Sequence, residues 1–139
     1  MILFGEKTDA WFDVWSLEHC IAGISASALI LWFMRRKGYD QKDSMVFYGL
    51  LLTLTFAWEM VEHYLESGVT GNEWITYWFQ GVEFWGNRLI TDPLLVVLGS
   101  MLALKYRILL LPARIFSCIW LIVHLFIFPH SMYLHRFLE

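Results

Sequence analysis

Apolar residues along this chain gather into four long runs, roughly 16–34, 45–64, 89–104 and 108–128, separated by short polar stretches. Each is close to the ~20 residues that a helix rising 1.5 Å per residue needs to cross a ~30 Å hydrocarbon layer. The third run is the shortest. The stretch before it, 74–88, spaces Trp74, Trp78 and Trp85 as on a helix lying along a membrane surface. The pattern predicts an all-α integral membrane protein, a four-transmembrane-helix bundle with an interfacial helix before the third span, in one domain covering residues 1–139.

Composition points the same way. Of 139 residues, 58% are hydrophobic, 18% aromatic and 17% charged, whereas a soluble domain carries about a quarter charged residues. The Trp and Tyr excess is read as an aromatic belt at the two interfaces. The opening MILFGEKTDAWFDVW places acidic residues ahead of the first run and offers no small-residue cleavage site, so it does not read as a cleaved signal peptide. Cys20 and Cys118 fall in different runs and lack zinc-site or disulfide spacings; they read as small buried apolar side chains.

Basic residues set the orientation, since cytoplasmic loops retain Lys and Arg. One side carries Arg35, Arg36, Lys37, Lys42, Lys105, Arg107 and Arg114, against Lys7, Arg88 and Arg136 on the other. Both termini are therefore expected outside, in a bacterial inner membrane. The net charge of −3 hides a segregation, because of thirteen acids only Asp40 and Asp43 fall on the inner side. No basic surface for nucleic acid exists, and membrane lipids are the expected partners.

Ionisable groups within the runs are the candidate chemistry. A charge at the bilayer centre costs about 2.5–3.5 kcal/mol on the mildest scale, so such groups face the bundle interior and mark function. With Ser16, Tyr64, Arg88 and Phe128 as outer ends, the helix rise places His19 ~5 Å deep, Glu59 ~8 Å, and Asp92 and His124 ~6 Å each. On the second run Thr55, Glu59, Glu62 and His63 share one stripe. On the first, His19 shares its face with Ala22, Gly23, Ala26 and Ser27, small residues that let helices approach closely. On the third, Asp92 shares its face with Gly99, and Arg88 precedes it by one turn. His19, Glu59, Glu62, His63, Arg88 and Asp92 are expected to converge.

Such a layer suits three kinds of work. It could bind a divalent cation, with carboxylates fitting Ca²⁺ or Mg²⁺ and added histidine fitting Mn²⁺ or Fe²⁺. It could do acid–base chemistry, with His19 as proton acceptor, or relay protons in a carrier. A structural ion pair of Arg88 with Glu59 or Asp92 is the plainer alternative. His124, one turn after Trp120, reads as a hydrogen-bonded core histidine ahead of a ligand, and His130 and His135 as interfacial.

Three segments carry a resemblance: Glu18-His19 heading a small-residue helix, Trp58-Glu59-Met60-Val61-Glu62 as W-E-x-x-E, and Glu83-Phe84-Trp85-Gly86-Asn87-Arg88 leading to Asp92 and Gly99. Together, over about residues 16–101, they resemble the core of the base-exchange phosphatidylserine synthases and, more loosely, VanZ-like proteins, grouped as the Lipocone superfamily. The resemblance implies an enzyme that exchanges or cleaves a phospholipid headgroup at its phosphodiester, with metal help. Carried over by motif, His19 is the base or nucleophile, and Glu59, Glu62, Glu83 and Asp92 bind a divalent cation (Ca, Mg or Mn) or orient the acceptor. Asn87, Arg88, His63 and His124 are expected on the substrate side. Two positions depart from the synthases: Asn87 stands in place of the first Asp of E-x-W-x-D, and Val97 in place of an Asn. Those departures and the short chain leave a second expectation, a non-catalytic subunit or lipid-binding adaptor of a larger membrane assembly. A proton-coupled carrier is the weakest of the three, for want of an inverted repeat, unless the chain forms a homo-oligomer.

Overall fold

The computed structural model describes residues 2–79 and 81–126, apart from the side chains at 121 and 124–126. Two short extended segments, β1 (Ile2–Phe4) and β2 (Ala10–Phe12), pair in parallel with Ile2 opposite Ala10 and Phe4 opposite Phe12. Among the described residues five helices follow: α1 (Val14–Lys37), α2 (Ser44–Glu66), α3 (Glu73–Phe79), α4 (Asp92–Lys105) and α5 (Leu110–Phe126). A π turn, Asn87–Thr91, runs directly into α4, and a 3-10 turn, Arg107–Leu109, into α5. Residues 14–37, 44–66 and 87–105 form three helices long and apolar enough to cross a membrane. α5 covers most of the expected fourth run; residues 127–128, with His130 and His135, lie outside the described residues.

Local chemistry sets the helix ends. Asp13 caps α1 through a reciprocal pair: its carboxylate accepts from Ser16 N at 3.0 Å, and its own N–H donates to Ser16 Oγ at 2.9 Å. At the other end Gly38 takes φ 77°, closing the helix after Arg35, Arg36 and Lys37, whose charges favour a helix C-terminus. Asp43 caps α2 by accepting from Met45 N and Val46 N, both at 3.1 Å.

α1 and α4 cross in backbone contact. A Cβ on Gly23 would run into the carbonyl of Val96, and one on Gly99 into the carbonyl of Cys20. This is the close approach that small residues permit between membrane helices. Next to the crossing, Ile30, Leu31, Met34, Phe47, Leu51 and Val96 form a buried apolar cluster joining α1, α2 and α4. Two buried hydroxyls within the helices are satisfied by their own backbone: Ser27 Oγ donates to Gly23 O at 2.7 Å and Thr55 Oγ1 to Leu51 O at 2.9 Å. Many large apolar side chains face outward instead, among them Leu29, Met45, Met60 and Leu94. An outward face of that kind needs an apolar surround.

The helix expected over 74–88 is broken. It ends at Phe79, and Gly81 takes φ 103°, a value closed to most side chains. The N–H of Phe84 then donates to the carbonyl of Lys7 at 2.8 Å rather than to a preceding turn. The N-terminal segment thus fastens to this loop, and Trp11 packs edge-on against Phe84 and Trp85. Helical structure resumes as the π turn. Pro93 lacks the N–H that would bond one turn back and its ring crowds that carbonyl, so the backbone widens, and Asp92 N–H reaches Asn87 O, five residues earlier.

Candidate functional site

One end of the bundle gathers the start of α1, the end of α2, the π turn and the N-terminal segment. His19 comes from the second turn of α1, between two carboxylates. Its Nε2 lies 3.3 Å from Asp92 Oδ2 and its Nδ1 3.8 Å from Glu59 Oε1. Both acids are buried, Asp92 at 0% exposure and Glu59 at 2%. The α1–α4 crossing fixes the first contact, since Gly99 lies seven residues, two turns, after Asp92 and abuts Cys20, the neighbour of His19.

Arg88 is the centre of a second, adjoining set. Its Nη2 donates to Glu66 Oε1 and lies 3.1 Å from Glu83 Oε2, its Nη1 is 3.1 Å from His63 Nδ1, and its Nε is 3.8 Å from Glu59 Oε2. Glu59 therefore stands between Arg88 and His19. Glu66 also accepts from Lys7 Nζ at 2.8 Å and from Glu83 N at 3.1 Å. Asn87 Nδ2 donates to Glu83 Oε1 at 2.8 Å and to Asp13 Oδ2 at 3.4 Å. Burial pushes the Glu83 carboxyl well above the ordinary carboxylate range; Glu62 and Asp13 nearby push the same way and Arg88 opposes them. Burial raises Asp13 too, against the hydrogen bonds it accepts from Ser16 and Trp15.

A cavity of about 590 Å³ opens beside His19 between α1, α2 and α3. Apolar side chains such as Trp15, Ala26, Leu51, Trp58 and Trp78 line most of it, and Glu18, His19, Glu59 and Glu62 form its polar end. No lysine or arginine is among the described residues lining it. Its size is that of a small-molecule site.

The structure thus joins His19, Glu59, Arg88 and Asp92 in one layer, as expected from depth and face. Glu62 lies at the cavity rather than against Asp92, while Glu83 is drawn to Arg88 and Asn87. Asn87 is 1% exposed with its amide nitrogen bound to two carboxylates, so it braces the loop. His63 touches Arg88 but its side chain is half exposed. His124 belongs to α5, and its side chain lies outside what is described. Lys7, Asp13 and Glu66 were not foreseen. Glu66 follows Glu59 by seven residues and so continues its stripe.

Among the described residues, the metal-ligating types that converge are His19, Glu59 and Asp92, whose ligand atoms lie within 4.8 Å of one another. Neither oxygen of Glu59 accepts a hydrogen bond among the described residues. A buried carboxylate without donors calls for a proton or a cation, and one imidazole with two carboxylates fits a divalent ion of the Mn²⁺ kind. No known family model, no curated protein and no solved structure matches the chain.

Proposed function

We propose that this protein is a membrane-embedded enzyme acting on the phosphodiester of a phospholipid headgroup, by transfer or hydrolysis, at the extracytoplasmic face. The reading counts α5 as a fourth span and takes the orientation from the basic residues. The observation that carries it is His19, set between Asp92 and Glu59 at the polar end of an otherwise apolar cavity.

In this reading a lipid chain occupies the apolar walls and its phosphate reaches the His19 layer. Asp92 orients the imidazole through one ring nitrogen and stabilises its protonated form, leaving the other nitrogen to take a proton, as an orienting carboxylate does for a general base. The acceptor, water or an alcohol, forms a new O–P bond while the bond from phosphorus to the headgroup oxygen breaks. The proton taken by His19 passes to that departing oxygen. Arg88 lies behind Glu59, its Nε 3.8 Å from Glu59 Oε2, and adds positive charge to the layer without lining the cavity. Glu59 and Glu62 make the cavity end acidic, so an entering phosphate needs a compensating cation. A divalent ion held by the carboxylates of Glu59 and Asp92, with His19 left free as the base, would supply that charge neutralisation.

The test is turnover of headgroup-labelled phosphatidyl lipids by protein reconstituted in vesicles, with and without an acceptor alcohol. Wild type should release or exchange headgroup and folded His19→Ala should not. Wild type inert across a panel of phosphatidyl lipids, or His19→Ala as active as wild type, contradicts the proposal. Asn87, in the place of a synthase acid and bound to Glu83 and Asp13, favours a second reading as a lipid-binding adaptor. That reading predicts copurification with a stoichiometric partner and no turnover.

A further inference from the structure

The N-terminal segment contributes a fully buried lysine to the layer. Lys7 is 2% exposed, and its Nζ lies 2.8 Å from Glu66 Oε2. Its carbonyl receives Phe84 N–H, so the backbone that carries the charge is fastened next to Glu83. Glu66 meets three donors: Lys7 on one oxygen, and Arg88 and Glu83 N–H on the other. A carboxylate held by three donors has one orientation, and it fixes the guanidinium that binds it.

Charge matters as much as geometry. If Glu66 faced Arg88 alone, its negative charge would cancel the guanidinium. With Lys7 on the other oxygen, the three groups carry a net positive charge. Glu83 Oε2 meets the guanidinium at Nη2, 3.1 Å away, and not at Nε. The uncommitted donor of Arg88, Nε, points to the side of Glu59, 3.8 Å from its Oε2.

We infer that Lys7 and Glu66 are positioning residues for Arg88: Glu66 aims the guanidinium at the His19 layer, and Lys7 neutralises Glu66 so that the charge of Arg88 is left for a substrate phosphate. The inference rests on the proposed headgroup chemistry for its consequence, and on the Lys7–Glu66–Arg88 contacts for its geometry.

Two readouts on the reconstituted full chain test it. In the vesicle assay, Lys7→Met should lower kcat at least tenfold with KM changed less than threefold, and Lys7→Arg should recover at least half of the lost rate. The double variant Lys7→Met/Glu66→Gln, which removes both members of the Lys7–Glu66 pair and leaves Arg88 to Glu83 and Glu59, should fold and stay at least tenfold down in kcat. A merely structural pair would regain activity there, and a folded double variant within twofold of wild type overturns the inference. The second readout is the side-chain nitrogen NMR signals of arginine-labelled protein, with Arg88 assigned through Arg88→Lys. Separate Nη signals in wild type that merge in the double variant support the positioning role, and signals unchanged by the double variant overturn it. If wild type shows no His19-dependent turnover, the headgroup reading fails, and the NMR signals alone then decide whether Lys7 and Glu66 hold Arg88.

Discussion

Gly99 lies so close to the carbonyl of Cys20 that no Cβ fits between them, and Gly23 meets Val96 in the same way one turn along. Because Cys20 follows His19 and Asp92 precedes Gly99 by two turns, this crossing sets the 3.3 Å separation of His19 from Asp92. A methyl at Gly99 must push the helices apart. Gly99→Ala should therefore destabilise by about 1–3 kcal/mol, the usual cost of overpacking, and lower any turnover with it. Gly49, where an added methyl would meet nothing within 4 Å, is the control: Gly49→Ala should be neutral or stabilising by up to about 1 kcal/mol. Melting curves in detergent compare the two.

Lys7 and Glu66 are buried at 2% and 3% exposure. Removing one member of a buried ion pair leaves the other uncompensated and costs about 3–5 kcal/mol. Glu66→Gln, which strips buried Lys7 of its carboxylate, should lose that much by denaturant titration, while Lys7→Met/Glu66→Gln should lose clearly less, because Glu83 and Glu59 still face Arg88. Additive losses would mean that the two charges do not interact.

Glu83 and Asp13 give the stability a pH dependence of definite sign. Both have folded values raised by burial above their ordinary 4.5 and 3.8, so the folded state binds more protons than the unfolded one over that interval. Their contribution is fully present below the ordinary values and is lost as the pH rises through the folded ones. Melting temperature should fall from pH 5 toward alkaline pH, and Glu83→Gln should flatten the slope. A slope equally steep in the variant contradicts the assignment to Glu83.

If Glu59 and Asp92 hold a divalent ion beside His19, Mn²⁺ titration followed by electron paramagnetic resonance should show one site per chain. Glu59→Gln and Asp92→Asn should each weaken it at least tenfold, while His19→Ala and Glu83→Gln should change it less than threefold. Loss confined to Glu83→Gln would move the ion to the Arg88 side.

Three long apolar helices were legible because run length and face follow from helical periodicity. Depth arithmetic placed His19, Glu59 and Asp92 in one layer, and the small residues beside His19 and Asp92 marked the α1–α4 crossing. The loop at 81–86 escaped because the spacing of Trp74, Trp78 and Trp85 continues a helix that Gly81 and the Lys7–Phe84 backbone bond interrupt. Lys7 escaped for a related reason: a lone lysine before a span reads as a solvated flank, and its burial depends on Glu66, 59 residues away. Glu66 sat just past the expected end of the second span, although its spacing from Glu59 and Glu62 already put it on their stripe.

The central claim is that His19 performs phosphodiester chemistry on a lipid headgroup. Its most direct test is the ratio of kcat for headgroup release in vesicles between wild type and His19→Ala of matched melting temperature. Removing a general base typically costs a factor of about 10²–10⁴. A ratio in that range is the predicted result; a ratio near one contradicts the account.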